Sequence, residues 1–201
     1  MKAKQEKRKN TIDAFVSAAM KLIEENGVDG VSTRKIADVT GYSYATLYNY
    51  FPNIGVLLQY CIYTEMNALN EYVDKFLKNK IDLSAQEKLL IMSESTARFF
   101  IEKPTAFELI FMIKLETLPP EEIRADLLSP VVIRKIREII NQLMNQYGTK
   151  EDEREATIQI FLNHLVGKLL YYFRRDIGKS SEMFLKEINK EILILIRGIK
   201  K

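Results

Sequence analysis

The sequence is poor in residues that interrupt helices and has almost no cysteine or histidine. Its 201 residues include 8 glycines, 5 prolines, 1 cysteine and 1 histidine. Few glycines and prolines leave few breaks, so long helices are expected. A single cysteine excludes a disulfide within the chain and a multi-cysteine zinc site, and it favours a reducing compartment. We therefore expect no metal and no cofactor.

The chain also has a small net charge and no long apolar run. The formal net charge is only +3, so any affinity for nucleic acid must come from a local basic surface. No stretch approaches the roughly eighteen uncharged apolar residues that span a bilayer, and no apolar signal core follows the charged start. With 47% hydrophobic residues, the chain can fill a substantial core. These features predict a cytoplasmic, all-α protein of about nine helices.

The segment from Val31 to Phe51 predicts two short helices joined by a tight turn. A hydroxyl from Ser32 or Thr33 can cap the first helix, and Ser43 can cap the second. Gly41 supplies the positive φ that a sharp helix exit needs. This layout is that of a DNA-reading helix-turn-helix, although a plain corner between two helices remains an alternative.

The flanking segments fit the same motif. Ile36 and Leu47 are spaced to point into the angle between the two short helices. Ahead of them, apolar residues between positions 8 and 26 recur at i, i+3, i+4 and i+7, which predicts a helix that covers the back of the pair. Afterwards, Phe51-Pro52-Asn53 breaks the chain before an apolar-rich run over positions 54–77.

Together these residues resemble the N-terminal domain of TetR/AcrR-type transcriptional regulators. The resemblance rests on Gly27, the pair Ile36-Ala37, Gly41, Ser43 and the run Thr46-Leu47-Tyr48 with Tyr50-Phe51. It covers about the first sixty residues, and the remainder agrees in length and helical character. It implies a helix-turn-helix DNA-binding domain with a basic N-terminal arm at 1–53. A helical effector-binding and dimerisation domain would follow at 54–201.

The resemblance also implies which side chains contact DNA. In that family, the position of Thr33 binds a backbone phosphate and that of Arg34 can reach a base edge. A guanidinium can bond guanine O6 and N7 together, and an asparagine amide can pair with an adenine edge. For each tyrosine, packing inside the domain remains an alternative. The expected DNA contacts are Thr33, Arg34, Tyr44, Ala45, Thr46, Tyr48, Asn49 and Tyr50.

One position departs from the family pattern. The lysine that usually binds phosphate from the start of the fourth helix is Ile54 here, which cannot donate a hydrogen bond. Loss of one phosphate contact should flatten the salt dependence of binding by about one unit. A basic tail could compensate as a flexible arm along phosphates or in a minor groove, or it could be merely a solvated, disordered end. The cations of this tail are Lys2, Lys4, Lys7, Arg8 and Lys9.

Two long helices end the chain and are candidates for a subunit interface. Each carries an apolar stripe, which can equally seal the protein's own core. A dimer is expected because two reading heads about 35 Å apart recognise a palindrome, and the resemblance implies a four-helix bundle formed with the partner's helices. One stripe is Ile158, Phe161, Leu162, Leu165, Leu169 and Phe173, and the other is Phe184, Ile188, Ile192, Leu195 and Ile199.

The middle of the chain offers large apolar side chains for a ligand pocket. In TetR-like regulators the second domain binds a small molecule, which changes the separation of the reading heads. Aromatic and methionine side chains would suit an apolar or amphipathic effector, although ordinary core packing explains them as well. The candidate effector-binding residues are Phe99, Phe107, Phe111, Met112, His164 and Tyr171.

No catalytic arrangement is evident in the sequence. The histidine has no serine or cysteine placed to work with it, and neither a glycine-rich phosphate loop nor HExxH is present. We therefore predict a non-enzymatic, ligand-responsive DNA-binding regulator that binds a palindromic operator as a homodimer. A repressor is favoured because occlusion of a promoter needs no contact with polymerase. The alternative is a helical, homodimeric interaction protein whose DNA-binding head is weakened or lost.

Overall fold

The computed structural model describes residues 2–78, 80–175 and 178–200, and it confirms the all-α fold. The described residues form ten α-helices, with a short 3-10 turn at Val28–Gly30 and no strand. None of these helices is both long and apolar enough to cross a membrane. The helices are α1 (Lys2–Asn26), α2 (Thr33–Thr40), α3 (Tyr44–Tyr50), α4 (Ile54–Leu77), α5 (Ala85–Glu102), α6 (Pro104–Phe111), α7 (Glu121–Leu128), α8 (Val131–Tyr147), α9 (Glu151–Arg175) and α10 (Ser181–Ile199).

Short-range signals set many of the helix ends. Ser84 begins α5 with a capping box, in which Ser84 Oγ accepts from the Glu87 amide at 3.3 Å and Glu87 Oε2 accepts from the Ser84 amide at 2.8 Å. Gly148 ends α8 in the left-handed conformation at φ 68°. After α6 ends at Phe111, the Met112 amide still donates to Glu108 O at 2.9 Å.

The chain packs as two compact units. The first comprises the described part of Met1–Met66 together with Thr105–Leu128. In its core, Phe15 of α1 and Leu57 of α4 share one apolar cluster with Leu109 of α6 and Ile123 of α7. The helix-turn-helix helices therefore share their core with α6 and α7. The predicted boundary at residue 53 separates a DNA-binding domain from an effector-binding and dimerisation domain. It is a division by function, and it stays a prediction.

The second unit comprises Asn67–Pro104 and the described part of Ser129–Lys201. Here α5 packs against α8, α9 and α10. The sequence offered two apolar stripes, one on α9 and one on α10, as a subunit interface. Most residues of both stripes are buried inside this unit, including Leu169 of α9 and Ile188 of α10. These stripes therefore form the protomer's own core, which was the alternative left open by the sequence. Hydrophobic periodicity identifies the most apolar face of a helix, and here that face is covered within one chain.

The basic N-terminal tail is helical, which corrects its expected flexibility. From Lys2 onward its residues form the first turns of α1, and all side chains from Lys2 to Lys9 are exposed. Lysine, glutamine and glutamate are favourable helix formers. This end of α1 is also held by Arg8, which contacts residues of α3 and α7.

The only cysteine of the chain, Cys61, is fully buried in α4 and is a free thiol. Burial, followed by the negative charge of Glu65, raises the pKa of this thiol to about 12. The thiol therefore stays protonated at neutral pH and packs as a small apolar group.

Candidate nucleic-acid interface

The turn between α2 and α3 is stabilised by its own caps. Ser32 Oγ accepts from the Lys35 amide at 3.3 Å, and Ser43 Oγ accepts from the Thr46 amide at 3.1 Å. Between them, Gly41 adopts φ 71° and ψ 6° and donates its amide to Ala37 O at 2.9 Å. The predicted Ser43 cap and the predicted left-handed glycine are thus confirmed, and of the two hydroxyls that could cap α2 it is that of Ser32 that does so.

One face of the two short helices is anchored in the first unit. Ile36 of α2 and Leu47 of α3 are both fully buried. Phe51, which follows α3, is also buried, and its ring lies 5.9 Å from that of Phe15 in an edge-on arrangement. These contacts fix the orientation of α3, because a helix of two turns has little stability of its own.

The opposite face of α3 is open to solvent. Tyr48 is 50% exposed, and Tyr44, Ala45 and Asn49 are exposed beside it. On α2 the Arg34 side chain is exposed as well. This face presents phenol hydroxyls, an amide and a guanidinium, which are groups that bond to phosphate oxygens and base edges.

The remaining predicted contacts lie partly covered at the edges of this face. Thr33 is half-buried at the start of α2. Thr46 Oγ1 lies 2.9 Å from Ser43 Oγ, so it shares a hydrogen bond with the cap. The ring of Tyr50 lies 6.1 Å from that of Phe15, which leaves it half-buried. All eight residues predicted to contact DNA are therefore on or beside α2 and α3, and their roles stay predictions.

Sequence reasoning missed an aromatic residue next to this face. Tyr42, in the turn, is partly exposed, and its ring lies 5.1 Å from Phe15. Its amide donates to Thr40 Oγ1 at 3.4 Å. Its position in the turn, outside either predicted helix, gave no periodic signal.

The start of α4 differs from the family pattern in a way that the structure makes clear. Asn53 Oδ1 accepts from the Val56 amide at 3.0 Å and so caps the helix. Ile54 is half-buried and packs against the core of the first unit. This residue therefore contributes apolar packing at the position where the family usually presents a phosphate-binding lysine.

The six candidate effector-binding residues are divided between the two units. Phe107, Phe111 and Met112 belong to the first unit, where Phe107 is buried and its ring lies 5.0 Å from Phe111. Phe99 belongs to the second unit and is buried, with its ring 5.5 Å from Tyr72.

The other two candidates lie on α9 of the second unit. Tyr171 is 57% exposed. His164 Nε2 lies 3.0 Å from Glu191 Oε2 of α10, and Lys168 Nζ lies 2.9 Å from the other oxygen of that carboxylate. A link between α9 and α10 explains the position of His164 without a ligand. The effector role of all six residues stays a prediction.

A buried inner face, two caps and a polar outer face define α2 and α3 as a helix-turn-helix of the class that reads the major groove. The sequence profile described as "Bacterial regulatory proteins, tetR family" matches residues 15–61. The chain therefore has a TetR-family helix-turn-helix domain at its N-terminus, followed by a helical second domain. Among curated protein sequences, none matches the chain.

Several solved structures share the fold over nearly the whole chain. RolR in complex with resorcinol has a TM-score of 0.66 at 16% identity, covering 98% of this chain and 95% of its own. A TetR-family transcriptional regulator from Bordetella parapertussis has a TM-score of 0.63 at 17% identity, covering 92% and 94%. Thermus thermophilus FadR, a TetR-family repressor in complex with lauroyl-CoA, has a TM-score of 0.64 at 20% identity, covering 90% and 93%. These likenesses establish the fold.

Proposed function

We propose that the protein is a homodimeric transcriptional regulator that binds a palindromic operator through α3 and is released by a small molecule. The observation that carries this proposal is the exposed face of α3, where Tyr44, Tyr48 and Asn49 project from a helix anchored by Leu47. Such a face supplies donors and acceptors to the major groove while the core keeps the helix in place.

Selection of bound fragments from genomic DNA tests DNA binding directly. The selected fragments should share a palindrome, and affinity should fall steeply with salt. Arg34→Ala should then cost about 1–3 kcal/mol of binding free energy per subunit and relax the preference at one base pair of each half-site, because the guanidinium is proposed to read a base edge. Fluorescence anisotropy on matched and mismatched operators measures both effects.

The matched control removes an exposed arginine from the second unit. Arg175→Ala, at the end of α9, should leave affinity and base preference unchanged. If no sequence is selected, the alternative of a helical interaction protein with a lost DNA-binding head gains support. The apolar packing of Ile54 at the start of α4 favours that alternative.

A surface on the second unit supports the proposed dimer. Ile160 on α9 and Ile194 on α10 are 54% and 53% exposed, and both line one groove with Gly198. Gly167 and Tyr171 continue the exposed side of α9 at helical spacing from Ile160. Exposed apolar side chains on two neighbouring helices are suited to a four-helix bundle with a second copy.

The double variant Ile160→Glu with Ile194→Glu tests this surface. Sedimentation should give a dimer for the natural chain and a mass near 23.4 kDa for the variant, because buried carboxylates would oppose association. Operator affinity of the monomeric variant should also fall, since one head covers only half of a palindrome. Leu128→Glu, at an exposed leucine of α7 in the first unit, is the control and should remain dimeric. A monomeric natural chain at micromolar concentration would contradict the proposal.

The proposed effector is a small apolar or amphipathic molecule bound by the helical second domain. RolR is solved with resorcinol and FadR with lauroyl-CoA, so this fold accommodates chemically different ligands. Release requires that the effector and the operator favour different states, with a coupling of about 1–3 kcal/mol. An effector found by thermal shift should weaken operator binding, and the operator should weaken effector binding by the same factor.

A repressor is proposed because a dimer seated on a promoter blocks polymerase by occupancy alone. Deletion of the gene should therefore raise transcription of the genes next to the selected operators. A fall in their transcription would identify an activator instead.

A further inference from the structure

The first turns of α1 lie beside the candidate DNA-reading helix. One groove is lined by the following residues of the two helices: Lys4, Gln5, Lys7 and Arg8 of α1, with Thr46, Asn49 and Tyr50 of α3. The last three are residues proposed to contact DNA. The groove is therefore continuous with the face of α3 that would enter the major groove.

The positive charge along this groove comes entirely from α1. Between Tyr44 and Tyr50, α3 has no charged side chain. Lys4, Lys7 and Arg8 share one face of α1, because residues three and four apart are neighbours on a helix. Lys2 and Lys9 project from the other side of the same turns, about 150° away by helical geometry.

Arg8 holds this end of α1 in place. Its guanidinium carbon lies 5.6 Å from the centre of the Tyr50 ring, and its Nη2 lies 3.6 Å from Glu122 Oε1 of α7. The Tyr60 hydroxyl donates to the same carboxylate oxygen at 2.5 Å. Part of the charge of Arg8 is thus balanced by Glu122. By contrast, Lys4 and Lys7 are exposed, and neither makes an ion pair among the residues that the structure describes.

We propose that Lys4 and Lys7 form a phosphate-binding strip that contacts the DNA backbone next to the groove occupied by α3, with Arg8 as the residue that positions it. This inference rests on the proposed DNA-binding function. It commits to duplex DNA because the two cations flank residues that would already lie against a duplex. The strip would supply phosphate contacts on α1, whereas the start of α4 presents Ile54 in place of the usual lysine.

Two charge-matched double variants test the strip. Lys4→Gln with Lys7→Gln removes both proposed contacts, and Lys2→Gln with Lys9→Gln removes two charges from the other side of the same turns. Operator affinity is measured by fluorescence anisotropy between 50 mM and 300 mM salt. Each phosphate contact contributes about 0.9 to the slope of log K against log salt, and the proposed homodimer would lose two contacts from each subunit. The first variant should therefore lower the slope by about 3.6 and affinity by ~1,000-fold at 0.15 M salt.

The control variant should lose much less affinity and keep the slope of the natural chain. Base preference should be unchanged in both, because phosphates carry no direct sequence information. Lys4→Arg with Lys7→Arg should restore the slope, since the charge is retained. Glutamine resembles lysine in helix propensity, and circular dichroism checks that α1 stays folded.

The outcomes separate this inference from the function on which it rests. Equal losses in the two glutamine double variants would show an effect of overall charge and would overturn the strip. If the natural chain binds an operator that Arg34→Ala weakens while Lys4→Gln with Lys7→Gln changes nothing, only the strip fails. If the natural chain binds no DNA at any salt concentration, both proposals fail.

Discussion

Two adjacent residues of α3 have different roles, one in the stability of the fold and the other in the proposed binding of DNA. Leu47 is fully buried, whereas Tyr48 is half-exposed. Leu47→Ala should lower the free energy of unfolding by about 2–5 kcal/mol because it leaves a cavity. Tyr48→Ala should change it by less than about 0.5 kcal/mol and weaken operator binding. Urea unfolding and anisotropy measure the two effects. A comparable loss of stability in both variants would contradict this division of roles.

At the scale of single residues, hydrophobic spacing predicted burial best for residues at the centre of a helix face. Ile36 and Leu47 were expected inside and are buried. For Tyr48 the sequence left packing and exposure open, because a helix of two turns has residues on the border of each face. The half-burial of Tyr50 depends on the Phe15 ring and on Arg8, which are distant in sequence. Such contacts cannot be found from local spacing.

At the scale of elements, the turn depends on a glycine in the left-handed region. A Cβ at Gly41 would meet no atom within 4 Å, so a substitution there acts through backbone strain alone. Gly41→Ala should therefore cost about 1–2 kcal/mol of unfolding free energy. Gly41→Asn should cost less, because asparagine tolerates this conformation. Thermal unfolding compares the two, and an alanine variant as stable as the asparagine variant would contradict the assigned strain.

Caps made the bounds of α2 and α3 predictable, whereas bounds that depend on contacts between distant segments were not predictable. Ser32, Gly41 and Ser43 marked the ends of α2 and α3, and the bounds agree. The start of α1 was misjudged because its first turns carry no apolar stripe and are held by Tyr50 and Glu122. The C-terminal stripes were correctly identified as apolar, but sequence alone could not determine which surface covers them.

At the scale of the whole molecule, several carboxylates should make stability fall in acid. Hydrogen bonds from Tyr60, Arg137 and Lys179 are the main causes that hold the pKa of Glu122, Glu155 and Glu187, respectively, below the ordinary value of 4.5. A carboxylate with a lowered folded pKa stabilises the fold above its unfolded pKa, and this contribution is lost as pH falls below about 4.5.

Urea unfolding between pH 6 and pH 3 measures this dependence. The midpoint should hold near pH 6 and decline below about pH 4.5. Because most of these groups are exposed, 1 M salt should reduce the decline by screening. Glu155→Gln should reduce it slightly. A midpoint that rises in acid would contradict the direction of these pKa shifts.

The sequence predicted the all-α class and the helix-turn-helix, but not which helices share a core. Leu109 of α6 and Ile123 of α7 pack in the same cluster as Phe15 of α1. That pairing depends on shape complementarity between segments about one hundred residues apart, which periodicity does not report. The proposed DNA contacts were predictable because they lie within one short, strongly capped segment, whereas an effector site would draw on several segments.

The buried state of Cys61 makes the chain suitable for site-directed labelling without prior removal of its natural thiol. A maleimide probe reacts with thiolate, and a fully buried group with a pKa near 12 offers almost none at pH 7. Asp38→Cys, at an exposed position of α2, would therefore accept one probe per subunit. In a symmetric pair, spin-echo or energy-transfer spectroscopy would then report the distance between the two heads with and without operator.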